Sequence, residues 1–282
     1  MTNQRDGAVH LDVDREGHIA RLTIDRPDRK NAYDPPMREQ MRRHLHEVAD
    51  DDDVKVLVLR GAEGVFSTGA DMANAYAWYE KADGPRRRPS QRRRLAVDRN
   101  AFGFYHDLMH YPKVTVAQVE RYALGGGFEM ALSADYIIAE EHSSFGFPEI
   151  MFGLFPCTGA MGLLARRVGA IRAERMMTEN KIYTAQQLLD MGVIDEVCPT
   201  GAGERTTEAY IARHTARQKA FLKVQQSRIR MSPFDYVEAE QIVHDWVELA
   251  MGLTAEELRT LDMLILMQEG GRKPKTADRK AA

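Results

Sequence analysis

At 282 residues the chain is long for one domain and short for two large ones, and 44% hydrophobic residues are enough for a substantial core. The net charge of −3 offers no general attraction to nucleic acid or to an anionic membrane, and no stretch approaches the roughly 18 apolar residues of a membrane span. Met1 to Asp14 is polar and lacks an apolar signal region, and Cys157 and Cys198 have neither a disulfide framework's number nor metal-type spacing, so reduced thiols in a cytoplasmic protein are expected.

In chain order, Ile19 to Ile24 alternates with period two and ends at the turn Asp25-Arg26-Pro27. Asp34-Pro35 reads as an N-cap with proline at the first helical position, and Met37, Met41, Leu45 and Val48 then form one apolar helix face. Val54 to Leu59 is a near-continuous aliphatic run, suited to a strand buried on both faces. Strand, helix, strand in that order implies a parallel unit with a right-handed crossover. The theme repeats with a strand over Val114 to Val119, a helix over Gly127 to Ala134 and a strand over Tyr136 to Ala139. Thr184-Ala185-Gln186-Gln187 is a capping box, and Gly192 closes its helix. From about Glu204 the pattern is helical: Ala239, Val243, Trp246 and Ala250 share one face, and Thr254 to Glu257 caps a last helix carrying Leu258, Leu261 and Ile265. Three regions are expected: an α/β core over 1–200, a helical extension over 201–268 and a disordered Lys/Arg/Gly-rich tail over 269–282.

The densest chemical signal is Ala123-Leu124-Gly125-Gly126-Gly127-Phe128-Glu129, answered twenty residues later by Phe147-Pro148-Glu149. Consecutive glycines let backbone N–H groups lie bare in a turn, and the apolar run that follows places them at the start of a helix, where the dipole favours an anion. Two carboxylates and anion-directed donors are the parts of proton-transfer chemistry beside a carbonyl. Phe66-Ser67-Thr68-Gly69-Ala70-Asp71 follows the buried strand, at the strand end where open α/β folds bind ligands. The N–H of Ala70 can pair with that of Gly126 around one oxygen.

These motifs, together with Asp25 to Ala32 (D-R-P-D-R-K-N-A), Phe145 to Glu149 and Ala185 to Val197, resemble the enoyl-CoA hydratase, or crotonase, superfamily over about residues 10–268. The resemblance implies an α/β fold with a ββα spiral core closed by C-terminal helices, a trimer or dimer of trimers, and an acyl-CoA thioester as substrate with no permanently bound cofactor or metal. It puts Ala70 and Gly126 at the oxyanion-hole positions, Glu129 and Glu149 at the two catalytic glutamates, and coenzyme A contacts at Lys30, Ala32, Ser67, Ala70, Asp71 and Met72. Hydratases in the family keep both glutamates, whereas many isomerases and hydrolases keep one or neither, which favours hydration. Two positions depart from the pattern: Arg121 stands where glycine is common, and Cys157 follows Pro156 where the loop usually reads Pro-Gly, its N–H there helping to hold water. Ala131 to Ala165 is also similar to the diffusible-signal-factor synthases, a branch that keeps both glutamates and couples dehydration to thioester hydrolysis.

Other features read as bland. Arg86, Arg87, Arg88, Arg92, Arg93 and Arg94 suggest phosphate binding to RNA or to coenzyme A, but the net negative charge and missing aromatics favour a solvated loop. A pure binding module has no need of Glu129 and Glu149. His106 and His110 have i, i+4 spacing without a third ligand, so no metal is expected. His44 and His46 suit a solvated helix face, and Met176, Met177 and the other helical methionines suit core filling.

Overall fold

The computed structural model describes residues 7–73, 95, 102–215, 217–231 and 236–269. Strands β1 (Ala8–Asp14) and β2 (Ile19–Asp25) form an antiparallel hairpin, with Val9 opposite Ile24 and Leu11 opposite Leu22. Asp34 caps the helix Pro35–Ala49 by accepting from the Met37 N–H at 2.9 Å, and Met37, Met41, Leu45 and Val48 are its buried face, as the spacing predicts. The helix returns the chain to β3 (Val56–Gly61), parallel to β2. β4 (Val114–Val119), buried at every position, lies parallel to β3, and β6 (Tyr136–Glu140) and β9 (Glu196–Cys198) complete a six-stranded sheet in the order β1-β2-β3-β4-β6-β9.

A second sheet of three short strands, β5 (Tyr122–Leu124), β7 (Ser144–Gly146) and β8 (Tyr183–Thr184), runs beside it. β4 passes into β5 and then into the helix Gly126–Ser133, a strand-strand-helix unit that matches the expected spiral. Arg121 makes the turn between the two sheets with φ 62°, a conformation that favours glycine, and its guanidinium lies over the Tyr122 ring.

Some boundaries move. The strand expected from Val54 begins at Val56, because the Val54 N–H is spent on Asp51 O and those of Lys55 and Val56 both reach His18 O. β1 carries the strand alternation in Val9, Leu11 and Val13 against His10, Asp12 and Asp14, within a stretch read from the sequence only as a polar N-terminus, and β5, β7 and β8 are too short to show a period. The methionines divide: Met37, Met41, Met130 and Met176 are buried, whereas Met231, Met263 and Met267 are exposed on the C-terminal helices and fill no core. His46 is exposed as expected, and His44 is partly covered and pairs with Glu47.

Among the described residues, four helices follow β9: Gly203–Thr215, Gln218–Met231, Tyr236–Met251 and Ala255–Gln268. They pack against the core at two places. Ala202 and Ile211 pack with Val56, Val58, Val116 and Ile138 on one face of the large sheet, and Ala250 and Leu261 pack with Phe152 and Leu154 beside the site described next. No helix among the described residues is long and apolar enough to cross a membrane. The stretch Arg86 to Arg94 and the tail after Glu269 lie outside the described residues.

Candidate active site

Two loops meet edge to edge. The Ser67 N–H donates to Tyr122 O at 2.9 Å and the Leu124 N–H donates to Ser67 O at 3.1 Å, so the loop after β3 runs along β5 into the glycine turn. The approach is closer than any side chain allows. A Cβ on Gly127 would stand 2.4 Å from Ser67 O, and one on Gly69 would stand 2.8 Å from the Gly126 nitrogen. Gly125 turns the chain with φ 52°. Gly126 begins the helix, so its N–H has no intrahelical acceptor. Ala70 is held from one side, where the Tyr33 N–H donates to Gly69 O and the Asp71 N–H donates to Tyr33 O, both at 2.9 Å. Its own N–H therefore points away from Tyr33. Among the described residues, neither the Ala70 N–H nor the Gly126 N–H donates a hydrogen bond.

Ala70 and Gly126 both line a cavity of about 160 Å³ whose lining also includes Glu129 and Glu149. Glu129, one turn into the glycine-led helix, is buried, and its Oε1 accepts from the Thr158 N–H at 2.8 Å and the Ala160 N–H at 3.4 Å. Burial raises its pKa, and those two donors, which favour the charged form, oppose the rise. Glu149 arrives on a short 3-10 turn, Pro148–Phe152. Its Oε2 is inaccessible and without a hydrogen-bond partner among the described residues. Its pKa is pushed up to about 8, first by burial and then by the charge of Glu129. Both carboxyls are thus shifted toward the acid by burial, and the backbone donors on Glu129 counter that shift while Glu149 Oε2 has none among the described residues. Gly125 makes room for that acid, since a Cβ there would stand 2.6 Å from Glu149 Oε1.

Tyr33 and Tyr105, which the sequence does not single out, are fully buried against the glycine turn. The Tyr105 hydroxyl donates to Gly126 O at 3.0 Å and shares a hydrogen bond with that of Tyr33. Burial raises the pKa of both phenols, so they stay neutral donors. Apolar side chains, among them Phe152, Leu154, Phe155, Trp246 and Leu264, line much of the rest of the wall with Cys157, and Arg38, Thr68, Thr158 and Gln268 add polar groups. Cys157 thus borders the cavity, while the adjacent Thr158 N–H is taken by Glu129.

The expected coenzyme A contacts separate. Ala70, Asp71 and Met72 line the cavity, with Asp71 paired to Arg26 at 2.8 Å. Ala32 and Ser67 are buried away from it. The Ser67 hydroxyl donates to Asn31 O and accepts from the Gly69 N–H, building the loop rather than facing a ligand. Lys30 sits outside the cavity lining, its Nζ donating to Met267 O. The rings of His106 and His110 lie with 4.4 Å between centroids and tilted by 34°, and no cluster of three or more His, Cys, Asp or Glu side chains suited to a metal occurs among the described residues.

The sequence pattern of the enoyl-CoA hydratase/isomerase family matches residues 14–245. The chain belongs to that family. The 2,3-dehydroadipyl-CoA hydratase of Escherichia coli (strain K12) is 31% identical over 190 residues, 67% of this chain and 69% of the relative. A probable enoyl-CoA hydratase of Mycobacterium avium (strain 104) is 32% identical over 196 residues, 69% of this chain and 71% of the relative. The crystal structure of an enoyl-CoA hydratase from Mycobacterium avium subsp. paratuberculosis K-10 matches with a TM-score of 0.76 over 89% of this chain and 97% of that one, at 24% identity, a likeness of fold. The crotonase architecture expected from the motifs is therefore the architecture found.

Proposed function

We propose that this protein adds water across the 2,3 double bond of an enoyl-CoA thioester. One observation carries the proposal: Ala70 and Gly126, whose N–H groups have no acceptor among the described residues, line the same cavity as Glu129, whose carboxylate accepts backbone donors, and Glu149, whose raised pKa favours the acid. The thioester oxygen fits between the two N–H groups. Glu129 takes a proton from water as the oxygen of that water bonds to Cβ. The π electrons of the double bond move toward the thioester oxygen, and the two donors stabilise the enolate charge that forms there. Glu149 delivers its proton to Cα, which restores the carbonyl, and the proton held on Glu129 then recharges the site. The apolar walls keep other water out, so these charges act in a medium of low dielectric.

The test is incubation with 2-enoyl-CoA thioesters of increasing acyl length, followed by separation of the products. The 3-hydroxyacyl-CoA should accumulate with little free CoA. Rapid release of free CoA, or a product with only a shifted double bond, would replace hydration by hydrolysis or isomerisation on the same scaffold.

A further inference from the structure

We propose that Gln268 is a positioning residue of the oxyanion hole: the last turn of the C-terminal helix fixes the loop that aims the Ala70 N–H. The inference rests on the reading of Ala70 as a donor to the thioester oxygen.

Glutamine at the end of a helix is ordinarily solvated. Gln268 is 4% exposed and lines the cavity. Its side-chain amide grips a segment some two hundred residues earlier in the chain. Nε2 donates to Ala70 O at 3.0 Å and lies 3.4 Å from Thr68 O, and Oε1 accepts from the Met72 N–H at 3.2 Å. Two carbonyls on one side and an N–H on the other dictate which end of the amide is nitrogen. The opposite edge of the same loop is held by Tyr33 through Gly69 O and the Asp71 N–H. The loop is thus held along both edges. On the edge facing Gln268, the Ala70 N–H is the group left without an acceptor among the described residues.

The helix end is itself pinned. Lys30 Nζ donates to Met267 O at 2.6 Å, and Arg29 pairs with Glu269 at 2.6 Å. Lys30 O in turn accepts from the Thr68 N–H at 3.2 Å, so both sides of the grip meet in the same loop. Replacing the amide by an apolar group of similar size leaves two carbonyls and an N–H unpaired and lets the flanking peptides rotate. A donor swung off its line no longer stabilises the developing oxyanion, although the acyl chain and coenzyme A still bind.

Gln268→Leu and Gln268→Glu are the variants to make. In Gln268→Leu, kcat should fall at least about tenfold, approaching the ~10²-fold of a lost donor, while KM changes far less. Gln268→Glu keeps an acceptor for Met72 but turns carboxylate oxygens on Ala70 O and Thr68 O. Protonation restores one donor, so its kcat relative to wild type should climb as pH falls, whereas the Gln268→Leu ratio stays flat. A p-dimethylaminocinnamoyl-CoA probe reads the carbonyl directly, because its absorption band moves to the red when the thioester oxygen is polarised. At saturation the red shift should be smaller in both variants than in wild type. A Gln268→Leu protein with the full red shift and wild-type kcat would overturn the positioning role and leave the hydratase reading standing. A wild-type protein that hydrates enoyl-CoA but binds the probe with no red shift would remove the oxyanion reading and this inference with it. If Gln268→Leu does not fold, the pH-dependent ratio and the red shift of Gln268→Glu decide alone.

Discussion

The two glutamates are the same residue in two settings. Glu129 accepts two backbone N–H groups, and Glu149 has an oxygen that meets none among the described residues. The second setting favours the neutral acid and lifts the pKa of Glu149 to about 8. An acid must carry its proton to deliver it, so kcat/KM in wild type should decline as pH rises through about 8. Glu149→Gln should bind an acyl-CoA with nearly unchanged affinity and turn over at least roughly 10²-fold more slowly, as expected for lost acid–base catalysis. Steady-state kinetics and equilibrium binding of a product thioester check both statements. The same shift reaches stability. Folded Glu149 holds a proton that the unfolded chain releases above the ordinary carboxylate range, so its contribution is complete at low pH and is lost as pH rises through about 8. The melting temperature of wild type relative to Glu149→Gln should therefore fall between pH 5 and pH 8, roughly the span between an unperturbed and this raised carboxyl pKa. A pH-independent difference would contradict the assignment.

Among the elements, the glycine turn and the loop after β3 decide the site together. Gly126→Pro removes one oxyanion donor, but the new ring atoms also meet the phenols, since a Cβ at Gly126 would stand 2.4 Å from the Tyr33 hydroxyl oxygen. The substitution is therefore best made with Tyr33→Phe, which removes that oxygen. Circular dichroism should show the double variant folded, and its kcat should be about 10²-fold below that of Tyr33→Phe alone. Equal turnover in the two proteins would take Gly126 out of the proposed hole. The turn was legible in the sequence because three consecutive glycines, Gly125 to Gly127, mark a backbone that needs missing side chains, and because Glu129 and Glu149 follow at motif spacing. Tyr33, Tyr105 and Gln268 gave no such signal. An aromatic beside a motif reads as core, a glutamine at a helix end reads as surface, and only the fold brings Gln268 to Ala70. The short strands β5, β7 and β8 stayed hidden for a related reason, because two or three residues are too few to carry a period.

On the scale of the whole molecule, the C-terminal helices leave apolar side chains outside. Val224 and Met231 of the helix Gln218–Met231 are 71% and 83% exposed, and Val237 is 78% exposed. Exposed apolar side chains on these helices accord with the trimer or dimer of trimers that the family resemblance implies, and we propose that assembly here. Sedimentation should give three or six copies at micromolar concentration, and Val224→Glu with Met231→Glu should shift the population toward smaller species. A wild-type monomer would contradict that proposal. The central claim, that the site hydrates a thioester it leaves intact, is tested most directly in water enriched in oxygen-18. Wild-type protein is mixed with a 2-enoyl-CoA, and the products are weighed by mass spectrometry. The account predicts one heavy oxygen in the 3-hydroxyl group of an intact acyl-CoA, formed far more slowly by Glu149→Gln. Heavy oxygen appearing instead in a free carboxylate, with release of CoA, would contradict it.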